Sequence, residues 1–170
     1  FRQVGCGAIL ADPTQIHQVV MNLCTNAFHA MEATGGILTI GLCDCELRAE
    51  ELLHQPKAQA GQFVRLSIGD TGPGIAPEIR EKIFDPYFTT KEVGRGTGLG
   101  LAIVHSVATA AGGFVHFESV PGQGATFHVY FPAVANKQPQ SIGSLKSEST
   151  GREWILLIDD EVMLAEMEQA

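Results

Sequence analysis

The sequence is short of positive charge, poor in cysteine and without a long apolar run. Eleven Lys and Arg stand against nineteen Asp and Glu, a formal net charge of -8. No basic run offsets that balance, which argues against nucleic acid and anionic membrane as partners. A site for any phosphate-bearing ligand must then rest on backbone N–H groups, a metal ion and a few local cations. The cysteines are Cys6, Cys24, Cys43 and Cys45, with no C-x-x-C pair and no Cys/His set at zinc-ligand spacing. A reducing, cytosolic compartment fits this usage. No signal peptide is visible, and no apolar stretch is long enough to cross a bilayer. Phe1 is not a natural start, so the chain reads as a fragment.

What is present suffices for one domain and a tail. Asp12-Pro13-Thr14-Gln15 reads as a helix start, with Asp12 as cap, Pro13 at the first position and Gln15 completing a capping box. That helix should run to about Met31 and stop before Gly35-Gly36. Strand patterns cover 36–47 and 62–70, with a partly helical loop between them. A short helix is expected over 77–84, a mobile loop over 84–98, and a second apolar helix over 99–111. The segments 113–119 and 125–132 pair around Pro121-Gly122-Gln123-Gly124. Helices over one mixed sheet make a two-layer α/β sandwich. Residues 134–152 read as a linker, and 153–170 as one strand and one helix beginning a second domain. Cys43 and Cys45 share one strand face and read as small buried hydrophobes.

Three stretches carry chemistry. At about 100° per residue, Gln15, Gln18, Asn22, Thr25, Asn26 and His29 share one helix face, opposite Ile16, Val20, Leu23, Ala27, Ala30 and Met31. That polar face holds no Lys, Arg, Asp or Glu. It is either an uncharged solvent face or a set of amides aimed at a bound molecule. Asp70-Thr71-Gly72-Pro73-Gly74-Ile75 leaves a buried strand with one carboxylate and a glycine turn. It is a plain turn, or a carboxylate placed to accept from the exocyclic amine of adenine, with glycines letting the base approach. Gly94-Arg95-Gly96-Thr97-Gly98-Leu99-Gly100 runs into the second helix. Its N–H groups make an anion site, but the spacing is neither a Walker A loop nor a dinucleotide fingerprint.

Four stretches, in this order and spacing, resemble the sequence boxes of the catalytic and ATP-binding domain of bacterial sensor histidine kinases. Asn22-Leu23-Cys24-Thr25-Asn26-Ala27 resembles the asparagine box, and Asp70–Ile75 the first glycine box. Phe84-Asp85-Pro86-Tyr87-Phe88-Thr89-Thr90-Lys91 resembles the phenylalanine box, and Gly96-Thr97-Gly98-Leu99-Gly100-Leu101 the second glycine box. The close spacing of the last two is similar to the nitrogen-regulator type with its short lid. The resemblance covers about residues 7–132 and implies a Bergerat ATP-binding fold over 1–133.

Carried over by position, the resemblance implies that Asn26 ligates magnesium and that Asp70 binds the adenine amine. Gly72, Gly74 and Ile75 would shape the base pocket. Gly96, Thr97, Gly98, Leu99, Gly100 and Leu101 would hold the phosphates, with Lys91 as lid cation. Thr126 resembles the residue that supports adenine through water. His29 stands where many members have Lys, and Gly69 where a β-branched residue is usual. Phe84, Tyr87 and Phe88 read as lid-packing aromatics. Gyrase-type ATPases of this fold carry a water-activating Glu four residues before the metal Asn. Asn22 occupies that place and cannot act as a base, so the resemblance implies phosphoryl transfer rather than hydrolysis.

No His has the phosphoacceptor setting of that family, so the resemblance implies an acceptor histidine on a helical-hairpin domain upstream in a homodimeric protein. Ile155-Leu156-Leu157-Ile158-Asp159-Asp160-Glu161 resembles the start of a response-regulator receiver domain. Asp159 and Asp160 would belong to its magnesium site. The parent would then be a hybrid kinase.

Overall fold

The computed structural model describes residues 7–52, 58–91 and 96–134. Apart from Val134, the expected linker lies outside the described residues, as does the receiver-like segment with Asp159 and Asp160. The first helix, α1, spans Pro13–Met31. Asp12 caps it by accepting from the Thr14 amide at 2.8 Å. Gln15 makes no return bond among the described residues and is exposed, so the cap is a single bond rather than the expected box.

The strands are β1 (Leu38–Leu47), β2 (Gly61–Asp70), β3 (Phe114–Val120) and β4 (Gly124–Pro132), and the second helix, α2, spans Gly100–Ala110. The sheet order is β1-β2-β4-β3. All three pairings are antiparallel, which corrects the expected mixed sheet. The reason lies in the connections. The crossover through α2 lands β3 in the direction of β2 but one place away, and β4 hairpins back into the gap. A correction also applies to 77–84: only Pro77–Ile79 is helical, as a 3-10 turn, and irregular turns follow. The segment closes through i→i+3 bonds, the amides of Arg80, Lys82 and Asp85 donating to the carbonyls of Pro77, Ile79 and Lys82, rather than through the i→i+4 bonds of an α-helix.

Both helices cover one sheet face. Val64, Leu66 and Ile68 of β2 alternate with Ala125, Phe127, Val129 and Phe131 of β4 to build that face. Val19 and Leu23 of α1 and Val104 and Ala108 of α2 close over it, at 0–2% exposure. Each of the larger side chains contributes about 1.5–3 kcal/mol by leaving water. The other face is covered by neither α1 nor α2 and is half-polar, although Phe63, packed edge-on against Phe114, is buried there. Cys43 and Cys45 lie there half-buried rather than buried, opposite Arg65 and Phe63. No helix among the described residues is long and apolar enough to cross a membrane.

Candidate functional site

Where α1, the end of β2 and the start of α2 meet, a cavity of about 530 Å³ opens. This is a common size for a small-molecule site. From the polar face of α1 it takes Asn22, Thr25, Asn26 and His29; Gln15 and Gln18 point to solvent instead. Asp70, Gly74 and Ile75 line it from the β2 turn. Lys91, Gly96, Thr97, Gly98, Gly100 and Leu101 line it from the lid and α2. The apolar wall is Ile68, Ile79, Ile83, Phe88 and Phe127, most of which sequence reasoning did not single out. For Ile68 and Phe127 the available signal was their place in the two-residue period of the inward-facing strand positions.

Three predicted residues lie beside the cavity but do not line it. Gly72 is buried behind Asp70, its amide donating to Asp70 Oδ1 at 2.8 Å. Leu99 is the residue before α2, its amide donating to Thr97 Oγ1 at 3.3 Å. Thr126 is a correction. It pairs with Gly69 on the face of the sheet that neither helix covers, and Ala125, the partner of Asp70, presents its methyl to the cavity. The inward set Phe127, Val129 and Phe131 already dictates that parity.

The β2 turn is held by residues the sequence did not flag. Ser119 Oγ accepts from the Ile75 amide at 2.8 Å and donates to the Gly124 carbonyl at 3.0 Å. Arg80 donates to the Ser119 carbonyl at 2.7 Å, and the Gly122 amide to the Pro73 carbonyl at 2.7 Å. These bonds hold the turn that follows Asp70, whose carboxylate accepts from the Gly72 amide through Oδ1 and has no hydrogen bond to Oδ2 among the described residues.

At the other wall, α2 begins with no side-chain cap at Leu99. Its first N–H groups have no partner in the helix and sit at the positive end of the helix dipole. A β-carbon on Gly100 would lie 3.4 Å from Asn22 Oδ1, so this terminus abuts the α1 amides. Asn22 Nδ2 is buried with no hydrogen-bond partner among the described residues. Lys91 Nζ reaches across from the lid, 2.8 Å from His29 Nδ1 and 3.4 Å from Asn26 Oδ1. Burial pushes the Lys91 ammonium below the ordinary lysine value, and the Glu32 carboxylate pulls the other way. Together these groups offer an anion uncapped N–H groups, an amide N–H and a cation, and offer a cation the Asn26 oxygen. Of the aromatics assigned to the lid, Phe84 and Phe88 pack on the core, but Tyr87 is 77% exposed.

The chain was compared with known proteins. The family model described as histidine kinase-, DNA gyrase B- and HSP90-like ATPase matches residues 11–135. Sensor kinase CckA of Brucella abortus is 36% identical over 90% of this chain, and sensor histidine kinase ZraS of Salmonella typhi 38% over 76%. The chain spans only 17% and 24% of those two relatives. The crystal structure of full-length ShkA in complex with AMPPNP superposes with a TM-score of 0.56 at 34% identity, covering 78% of this chain and 24% of that one. The fold is thus that of histidine kinase ATPase domains, the α/β Bergerat fold. With most of its length inside the family model, the chain belongs to the histidine kinase-, DNA gyrase B- and HSP90-like ATPases.

Proposed function

We propose that this chain binds ATP with magnesium and supplies the γ-phosphate for histidine autophosphorylation in a two-component sensor kinase. The observation that carries the reading is the sharing of one cavity by a strand-end carboxylate, Asp70, and an uncapped helix N-terminus at Gly100. A carboxylate suits the adenine amine, and unpaired N–H groups suit the phosphates. Ile75, Ile68 and Phe127 give the base an apolar wall. Gly96, Thr97, Gly98 and Gly100 hold the phosphate chain, with Lys91 and His29 beside it.

Magnesium fits the donor set on one point. Asn26 Oδ1 is a hard oxygen already facing a cation, the Lys91 ammonium at 3.4 Å. Magnesium, when bound, supplies charge neutralisation at the phosphates. Asn26 would hold the ion, and Asn22 Nδ2, without a partner among the described residues, would donate to a phosphate oxygen or an ordered water. Neither amide can take a proton from water, which favours transfer over hydrolysis. The acceptor histidine belongs to a helical-hairpin domain of a homodimeric, cytoplasmic kinase module, and the onward partner is a receiver domain or response regulator. Residues 153–170 begin such a receiver in a hybrid kinase, with Asp159 and Asp160 in its magnesium site.

Titration calorimetry with ATP and magnesium tests the reading. Asp70→Asn should weaken binding by about 10- to 100-fold, since it removes a charged acceptor. The Gly72 contact can persist in that variant, so the unfolding midpoint should hold. No binding by the wild-type chain, or binding indifferent to Asp70→Asn, would defeat the assignment. Fast steady-state ATP hydrolysis by the chain would favour an ATPase instead, and phosphohistidine formed on the chain alone would refute the separate acceptor.

A further inference from the structure

The contact between Lys91 and His29 has a chemical direction. A lysine ammonium has three donors and no acceptor. At 2.8 Å from Lys91 Nζ, His29 Nδ1 must therefore accept, which puts the ring proton on Nε2. The Lys91 backbone is fixed as well, its amide donating to Thr89 Oγ1 at 3.1 Å. Among the described residues Lys91 makes no ion pair, and the opposing charge felt there is that of exposed Glu32. Both its side-chain acceptors, His29 Nδ1 and Asn26 Oδ1, are neutral.

That neutrality matters in a chain of net charge -8. A carboxylate would hold a lysine more tightly but would also cancel its field. A neutral imidazole holds the cation in place and leaves its charge for an anion. We propose that His29 is a positioning residue for Lys91: its Nδ1 fixes the ammonium beside Asn26 while leaving the positive charge free for a polyphosphate. The proposal rests on the ATP reading and deepens it, giving His29, which stands where many family members have Lys, an indirect role through Lys91.

Side-chain chemistry supplies the test. An Asn amide places its oxygen near the position of Nδ1, and Asp has the same shape with a charge. Calorimetry at neutral pH would compare ATP with magnesium against adenosine, which has no phosphate. His29→Ala should weaken ATP about tenfold and leave adenosine unchanged. His29→Asn should restore affinity to within about twofold, whereas His29→Asp should fall below His29→Ala. Lys91→Met should lose about as much as His29→Ala, and the double variant no more than either. Nitrogen-15 NMR of the nucleotide-free wild-type chain should find the His29 proton on Nε2, with ring signals displaced by Lys91→Met. A proton on Nδ1, additive losses in the double variant, or no rescue by Asn would overturn the proposal. If the wild-type chain bound no ATP, the functional reading would fall, and the NMR result would still decide the pairing.

Discussion

Tyr87 and Gly98 hold each other in left-handed backbone, with φ of +68° and +67°, and the Tyr87 amide donates to the Gly98 carbonyl at 3.0 Å. Tyr87 is the only non-glycine residue with positive φ among the described residues. A β-carbon on Gly98 would lie 2.6 Å from the Tyr87 carbonyl oxygen, which is backbone and cannot swing aside. Gly98→Ala should therefore destabilise the fold by about 1–3 kcal/mol and weaken nucleotide binding in the same protein. Tyr87→Asn should be tolerated, because Asn accepts this conformation and the ring is exposed. Urea unfolding with an unchanged slope would read both. An unaltered midpoint in Gly98→Ala would sink the argument.

The pair Gly69 and Thr126 lies on the other face of the sheet. Thr126 Oγ1 stands 2.8 Å from where a Gly69 β-carbon would be, so the threonine fills the glycine's empty side. The space beside Gly69 at the strand end is thus taken by its neighbour. Gly69→Val should cost about 1–3 kcal/mol through overpacking. Thr126→Ala added to it should recover most of that loss, since the two residues share one space. Thermal unfolding of the four combinations would decide; additive losses would mean that the contact is not the cause.

The contrast between these two pairs shows what the sequence could reveal. Helix α1 was legible to the residue at both ends, because Asp12, Pro13 and Gly35 are strong local signals. The meeting of Asn22, Asn26, Asp70 and residues 96–98 and 100 at one cavity was legible to the extent that each sits in a short stretch with its own pattern. Thr126 was misplaced because a match by position overrode the two-residue period that Phe127, Val129 and Phe131 impose. The mixed sheet was misread because strand direction depends on how the α2 crossover lands, which no local pattern encodes. Lys91 and His29 are 62 residues apart, and nothing in either neighbourhood announces their contact.

His128 should make stability depend on pH. Burial pushes its pKa below the ordinary histidine value, with Arg65 adding to that shift and Glu118 opposing it. Its ring is hydrogen-bonded to Ser67 Oγ at 2.8 Å and its side chain is 14% exposed. The folded state thus prefers neutral His128, and below about pH 6.5 the unfolded chain binds the additional proton. The contribution is fully present above that pH and is lost as pH falls through the lower folded pKa. The urea midpoint should drop between about pH 7.5 and 5.5, and His128→Asn should flatten the slope. An equal slope in the variant would assign the effect elsewhere.

Asn22 should separate stability from binding. Its Nδ2 is buried without a partner among the described residues, a state that costs about 1–3 kcal/mol unless something pairs it. The group borders an open cavity, so truncating it leaves no sealed void in the core. Asn22→Ala should therefore hold stability or raise it by up to about 1 kcal/mol, while affinity for ATP with magnesium falls about tenfold. A core residue would move both quantities down, and a plain surface residue would move neither. Opposite signs in one variant, read by urea unfolding and calorimetry, would mark Asn22 as a polar group kept for its ligand. A stability loss above about 2 kcal/mol would instead make it a structural residue.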